Sequence, residues 1–132
     1  MKSNELKILL VDDEAPIREL NSIILKRTYP GCTVEELKDG KTFSKYEGGA
    51  HLYIVDNRMF FMDGCDALDL LRAKQDNTPA VLVTATLADL ENKVLPKKTE
   101  VLSKPYRTEA FLKTVTEILE KNYGNIEGGQ SI

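Results

Sequence analysis

The sequence is poor in the residues from which disulfides, zinc sites and hydrolase triads are built. Its 132 residues include no tryptophan, one histidine and two cysteines. Cys32 and Cys65 stand far apart without CxxC spacing, which predicts two reduced thiols. His51 has no partner at metal-ligand spacing, and any Ser–His or Cys–His pair would have to use it. Nucleophilic hydrolase chemistry is therefore poorly supported.

Long apolar runs and an excess of basic residues are also missing. No run approaches the roughly 20 apolar residues that span a bilayer, and Met1–Leu6 lacks the apolar stretch of a signal peptide. The formal net charge of −3 offers no basic surface, so we expect no direct nucleic-acid binding by this segment. The expected location is the cytoplasm, without membrane contact. A chain of this length fits one domain with its own core.

What the sequence does contain is a series of short apolar runs. Such runs are typical of strands that are buried on both faces of a parallel sheet. The segment Thr33–Leu37 alternates instead, as a strand near a sheet edge would. The predicted buried strands are Leu6–Val11, Leu52–Val55, Ala80–Val83 and the shorter Val101–Leu102.

Helical periodicity separates these runs. Pro16 opens one helix, since proline is tolerated in a first helical turn. Strand and helix alternate five times, which predicts an α/β fold with a doubly wound sheet and helices on both faces. Apolar residues at helical spacing are Ile17, Leu20 and Ile24, then Ala67, Leu68 and Leu71, then Phe111, Leu112, Val115, Ile118 and Leu119; Lys41–Tyr46 and Leu87–Lys93 are weaker predictions.

The last ten residues have no core pattern. Residues 123–132 contain glycines and polar residues, so we expect a flexible tail or the beginning of a linker after a domain that spans 1–122.

The polar residues that end the predicted strands are the candidate site. Ligands of doubly wound sheets bind outside the carboxyl ends of the strands. The ends of four predicted strands would bring three carboxylates, a hydroxyl and an ammonium together at the carboxyl edge of the sheet. These groups belong to Asp12, Asp13, Asp56, Thr84 and Lys104.

This set of groups suits phosphoryl transfer. Clustered carboxylates repel unless a cation lies among them, and an all-oxygen donor set favours Mg²⁺. A cation at Asp13 and Asp56, with Lys104 opposite, would offset the charge of a phosphoryl group. Asp56 is the best candidate for the attacking carboxylate. Each acid alone could instead cap a helix or turn, and for Asp63 beside Gly64 that interpretation is preferred.

The ordered motifs resemble the receiver domain of two-component response regulators. They are the acidic pair in ILLVDDE, the aspartate in YIVDNRMFFMDG, the hydroxyl in VLVTA and the lysine in SKP, within about Leu6 to Asn122. The resemblance implies a flavodoxin-like (βα)5 fold with five parallel strands in the order 2-1-3-4-5. It also implies that residues 1–122 form a receiver domain.

The resemblance also implies a role for each site residue. Asp56 resembles the phospho-acceptor, phosphorylated by a sensor histidine kinase or phosphotransfer protein. Thr84 and Lys104 would each contact a phosphoryl oxygen, and the Lys104–Pro105 bond is commonly cis in the family. The resemblance places Mg²⁺ on Asp13, Asp56 and the backbone carbonyl of Arg58, with Asp12 acting largely through water. The chain would be a signalling phospho-acceptor rather than an enzyme.

Three positions depart from the family pattern. Phe60 stands where proline is usual, and we expect Phe60–Phe61–Met62 to pack over the mouth of the site rather than bind a partner. Arg58 is expected to influence the lifetime of the phosphorylated state. Val101 replaces the usual aromatic residue, so the ring that reports phosphorylation is absent or relocated.

The expected output surface is that of the family's fourth helix, fifth strand and fifth helix. A downstream effector protein or domain would bind there, and a homodimer is possible. One alternative is a receiver-like scaffold that works without phosphorylation. Another is an aspartate phosphatase of the haloacid dehalogenase type, which would need an aspartate where Arg58 stands.

Overall fold

The apolar runs form the strands of one parallel sheet. The computed structural model describes residues 1–129, and its five strands lie in the order β2-β1-β3-β4-β5. Every neighbouring pair is parallel. This confirms the predicted fold class and strand order. The strands are β1 Lys7–Val11, β2 Thr33–Leu37, β3 Leu52–Asp56, β4 Ala80–Thr84 and β5 Thr99–Ser103.

Helices cover both faces of the sheet and divide the core in two. One cluster packs residues such as Ile8 and Ile54 against the first and last α-helices, and the other packs Leu9 and Val55 against the middle two. Consecutive residues of a strand point to opposite faces, which explains why β3 and β4 are buried along their full length. The helices are α1 Ala15–Thr28, α2 Gly40–Phe43, α3 Gly64–Ala73 and α4 Thr108–Tyr123, with 3₁₀ helices at Ser3–Glu5 and Leu87–Leu90. Within residues 1–129, no helix is long and apolar enough to cross a membrane.

The connection from β4 to β5 lacks a regular α-helix. The sequence predicts a helix over Leu87–Lys93, but only the 3₁₀ helix Leu87–Leu90 forms. The chain becomes extended at Glu91, and Asn92 has a left-handed backbone with φ of 64°. A helix this short has little stability unless an apolar face is packed, and Leu87 is 60% exposed.

The segment after α4 packs against the rest of the domain instead of extending away from it. Ile126 is 6% exposed and belongs to the core cluster that includes Leu6 and Tyr29. Glu127 pairs with Lys2 in a parallel bridge, and its backbone exchanges hydrogen bonds with Met1 and Ser3. The expectation of a flexible tail is therefore wrong for residues 124–129, while 130–132 lie outside the described residues. A single buried isoleucine has no periodicity by which a sequence pattern could reveal it.

We expect Ile126→Ala to lower the free energy of unfolding by about 2 kcal/mol, because it leaves a cavity in the core. Ile23→Ala is the matched control: Ile23 lies on α1 and is 50% exposed, so its loss should cost less than about 0.5 kcal/mol. Urea unfolding followed by circular dichroism measures both. Equal small effects would show that the segment after α4 does not contribute to the core.

Candidate functional site

The sheet brings the predicted site residues to one edge. Val11 of β1 lies opposite Val55 of β3, so Asp12 and Asp56 directly follow paired residues. Asp56 in turn lies opposite Val83 of β4, immediately before Thr84. All three polar residues are buried, with exposures of 8% for Asp12, 7% for Asp56 and 1% for Thr84. The convergence that the sequence predicts is present.

Lys104 forms an ion pair with the predicted acceptor. Its Nζ lies 3.0 Å from Oδ1 of Asp56. The lysine directly follows β5, and its backbone N–H donates to the carbonyl of Thr84 at 2.8 Å. The Lys104–Pro105 peptide bond is cis, as the resemblance implies. Burial lowers the pKa of Lys104, but the Asp56 carboxylate outweighs burial and raises the pKa above its usual value.

Three carboxylates share this edge with the lysine. Oxygen atoms of Asp12, Asp13 and Asp56 all lie within 4.8 Å of one another. Burial raises the pKa of Asp56 to about 6, because desolvation, Asp12 and Asp13 together outweigh Lys104. Burial also raises the pKa of Asp12. One lysine therefore does not balance the negative charge of the cluster.

The start of α1 orients Asp12. Its Oδ1 accepts a hydrogen bond from the backbone N–H of Glu14 at 2.9 Å, and Glu14 is the N-cap residue of α1. Arg18, one turn further on, donates from Nη1 to the backbone carbonyl of Asp12 at 2.7 Å. Unpaired N–H groups at a helix start favour a carboxylate, which explains why an acid follows β1 directly.

Asn57, the residue after Asp56, is anchored to the start of α3, and sequence reasoning missed it. Its side chain is fully buried, and its Oδ1 accepts a hydrogen bond from the N–H of Cys65 at 3.0 Å. Its backbone carbonyl accepts from the N–H of Gly64 at 2.7 Å. A Cβ on Gly64 would lie 2.6 Å from the carbonyl oxygen of Asp56, so only glycine allows α3 to start here. An asparagine beside a buried strand was the available signal, since such side chains bond to nearby backbone groups.

Thr84 lies at the site, but its hydroxyl is engaged elsewhere. The hydroxyl donates to the carbonyl of Thr86 at 3.0 Å and accepts from the N–H of Thr86 at 3.2 Å. These bonds form a tight local turn after β4. The contact of Thr84 with a phosphoryl oxygen stays a prediction, since it requires the hydroxyl to leave this turn.

The Arg58 side chain pairs across the mouth of the site with Asp89, a partner that sequence reasoning missed. Nε and Nη2 donate to the two carboxylate oxygens at 2.7 and 2.8 Å. This bond holds the pKa of Asp89 below its usual value. The two residues are 31 positions apart, Arg58 on the loop after β3 and Asp89 in the 3₁₀ helix after β4, so no spacing pattern could have connected them. The prediction that the Arg58 carbonyl binds a metal stays a prediction.

The aromatic residues after Arg58 are largely open to solvent. Phe60 is 71% exposed and lines an open depression of about 430 Å³ together with Asp13 and Arg58. Phe61 is 84% exposed, so the expectation that it packs over the mouth is wrong. Met62 is partly buried and packs against the core cluster of α2 and α3. Phe61 also has a left-handed backbone with φ of 74°, a conformation that is uncommon for a residue other than glycine.

The acid cluster fits a hard divalent cation. Asp12, Asp13 and Asp56 supply only oxygen donors, the donor type that Mg²⁺ prefers. Burial, and after it the nearby carboxylates of Asp12 and Asp13, raises the pKa of Asp56, and a bound cation would stabilise the ionised carboxylate. The described part of the chain therefore offers a suitable magnesium site.

Comparison with known sequences identifies relatives of this arrangement. Residues 8–116 match the family model described as response regulator receiver domain. The chain is 30% identical over 105 residues to the transcription factor SKN7 of Saccharomyces cerevisiae, covering 75% of this chain and 16% of that protein. It is 34% identical over 84 residues to the transcriptional regulatory protein ResD of Bacillus subtilis, covering 64% of this chain and 35% of that protein. The chain thus spans well under half the length of both.

Solved structures share the fold. The chemotaxis response regulator CheY4 of Vibrio cholerae is 27% identical with a TM-score of 0.69, over 86% of this chain and 98% of that one. The response regulator TrrA of Thermotoga maritima was solved in complex with Mg(2+)-BeF. It is 23% identical with a TM-score of 0.73, over 86% of this chain and 98% of that one.

We expect Asp56→Asn to stabilise the protein without divalent cations, by about 1–2 kcal/mol at a pH of about 7.5. The folded state raises the pKa of Asp56, so this group contributes stability below its unfolded pKa and loses it as the pH rises through about 6. The loss of the bond to Lys104 offsets part of the gain. The difference in the free energy of unfolding between Asp56→Asn and the native protein should shrink as the pH falls from about 6 toward 4.

Urea unfolding in EDTA across this pH range measures the effect. Asp69→Asn is the control, because Asp69 is an exposed carboxylate on α3. A pH-independent difference between Asp56→Asn and the native protein would contradict the assigned cause.

Proposed function

The chain belongs to the response regulator receiver domain family of two-component signalling, and from that premise we propose that Asp56 accepts a phosphoryl group and thereby changes which partner the domain binds. The observation that carries the proposal is the 3.0 Å ion pair of Asp56 and Lys104 beside the carboxylates of Asp12 and Asp13. A nucleophile, a fixed cation and a divalent-cation site then lie within one buried edge.

The donor in this proposal is a phosphohistidine on a sensor kinase or phosphotransfer protein. An oxygen of Asp56 forms the new O–P bond as the P–N bond breaks and its electron pair returns to the imidazole nitrogen. A pKa of about 6 leaves Asp56 largely ionised at neutral pH and able to attack. Lys104 lies within contact distance of Asp56 and pairs with a phosphoryl oxygen.

Magnesium belongs to the proposal as the cofactor held by Asp12, Asp13 and Asp56, with the Arg58 carbonyl as a further ligand. When bound, it supplies charge neutralisation for the phosphoryl oxygens. The protein is in this view a phospho-acceptor that assists its own phosphorylation and dephosphorylation, not an enzyme acting on a separate substrate.

The donor protein has a suitable docking surface beside Lys104. A largely apolar groove of about 540 Å³ lies between α1 and the segment from β5 to α4. Ile17 and Leu20 line one side, and Pro105 and Tyr106 line the other. A helix of a partner would fit such a groove and bring its phosphohistidine close to Asp56.

The output surface that we propose includes β5 and α4, where a downstream effector or a second copy of the domain binds. The family's fourth helix, which completes this surface, is represented here by the 3₁₀ helix Leu87–Leu90 and the loop after it. Val101 on β5 is half-buried and carries no ring. The response to phosphorylation must therefore use other side chains. Action in the cytoplasm is part of the same proposal.

The second candidate is a scaffold that works without phosphorylation. Val101 and the engaged hydroxyl of Thr84 favour it, whereas the intact acid cluster opposes it. Magnesium titration followed by tyrosine fluorescence or chemical shifts separates the two, because a phospho-acceptor should respond at millimolar Mg²⁺. Family membership leaves no support for a haloacid dehalogenase-type phosphatase.

We expect incubation with acetyl phosphate and Mg²⁺ to add one phosphoryl group to the protein, because Asp56 is the carboxylate paired with Lys104. Intact-protein mass spectrometry measures the addition. Asp56→Asn should abolish it, and omission of Mg²⁺ should reduce it strongly. Asp63→Asn, at the mouth of the same site, is the control that keeps the label. Labelling that survives Asp56→Asn would refute the acceptor.

A further inference from the structure

The segment between β4 and β5 has the sequence of an amphipathic helix. Leu87, Leu90 and Val94 are spaced i, i+3 and i+7, which places them on one face of an α-helix. Thr86 precedes this stripe in an N-cap position. Asp89 lies three residues after Thr86, at the third helical position, which is the spacing of a capping box. Pro96 then ends the pattern. The sequence of residues 86–96 thus contains an N-cap, an apolar face and a terminating proline, as expected of a helix over 86–95.

The structure shows a different conformation for this segment. Thr86 makes no side-chain capping bond, and the 3₁₀ helix stops at Leu90. Asn92 adopts a left-handed backbone, which interrupts any helical continuation. Leu87 and Val94 are 60% and 92% exposed, although both lie on the predicted apolar face. Only Leu90 of the stripe packs against the core.

The side chain that would complete the cap is bound elsewhere. Both carboxylate oxygens of Asp89 accept hydrogen bonds from Arg58, at 2.7 and 2.8 Å. Arg58 is two residues after Asp56, on the loop that leaves the site. The guanidinium is mostly exposed, so it is free to turn toward a new anion. A phosphoryl group is a doubly charged anion, and arginine binds phosphate in the same forked geometry as carboxylate.

We propose that residues 86–95 form a two-state switch: the Arg58–Asp89 ion pair holds them in the 3₁₀ conformation, and a phosphoryl group on Asp56 draws Arg58 away so that the segment folds into an α-helix. This rests on the proposed function of Asp56. Asp89 is then available to cap the helix with Thr86. The folded helix presents Leu87, Leu90 and Val94 as one apolar face beside β5. That rearrangement reports phosphorylation without an aromatic ring at Val101.

The switch is testable without phosphorylation. Arg58→Ala removes the partner of Asp89, so the helical fraction of residues 86–95 should rise about two- to fivefold, the equilibrium effect of an exposed ion pair. Cα and carbonyl chemical shifts measure helical content residue by residue. Arg58→Lys keeps the positive charge but cannot make the paired hydrogen bonds of a guanidinium, so it should raise the helical fraction less than Arg58→Ala does. An unchanged segment in Arg58→Ala would overturn the proposal.

Further variants separate loss of the pair from loss of the cap. Asp89→Asn breaks the pair but weakens the cap, so it should raise helicity less than Arg58→Ala does. Asn92→Ala should raise helicity with the ion pair intact, because alanine disfavours the left-handed backbone and favours a helix. Glu91→Gln is the matched control, an exposed carboxylate in the same segment. A rise in Glu91→Gln equal to that in Arg58→Ala would overturn the specific role of Arg58.

The phosphorylated protein provides a second test of the switch. Acetyl phosphate with Mg²⁺ should shift residues 86–95 of the native chain toward helix, and Arg58→Ala should show little further change on labelling. A labelled protein whose segment keeps its original shifts overturns the switch and leaves the proposed function standing. A protein that does not label refutes the proposed function, while the unlabelled Arg58→Ala measurement still decides whether the ion pair holds the segment.

Discussion

The site depends on an imbalance of charge that the sheet itself creates. Parallel strands end at the same edge, so the acids after β1 and β3 are forced together with the lysine after β5. Lys104 lowers the pKa of Asp56, yet burial, together with Asp12 and Asp13, keeps it raised to about 6. Burial makes the remaining charge more costly, because water cannot screen it. A divalent cation bound by these carboxylates would offset that charge.

The starts of two helices position the residues at this edge of the sheet. The start of α1 orients Asp12 through the N–H of Glu14, and the start of α3 approaches Asp56 so closely that residue 64 must be glycine. Asn57 anchors the end of β3 to α3, since its backbone and its side chain both bind the first turn of that helix. The residues around Asp56 are thus fixed by bonds to backbone groups, whereas the loop that follows is held through the side-chain bonds of Arg58 to Asp89.

Much of this could be predicted from the sequence, for reasons that individual residues make clear. Asp12, Asp56 and Lys104 end strands, and parallel pairing places strand ends side by side whatever the loops do. The pair of Arg58 and Asp89 could not be predicted, because it joins the loop after β3 to the 3₁₀ helix after β4, and their relative position depends on the whole fold. Ile126 was missed because one apolar residue has no period. The pattern of Leu87–Lys93 predicts a helix, but a helix this short depends on packing against other elements, which the pattern of one segment does not contain.

Residues 124–129 pack against Lys2 and Ser3, which precede β1. These residues close the amino end of the sheet, and the acid cluster lies at the carboxyl end. A strand of five residues such as β1 separates the two ends by about 17 Å. A fluorophore or tether joined after Gly129 would therefore lie on the far side of the molecule from Asp56. Immobilisation through that end would leave the mouth of the site facing solution.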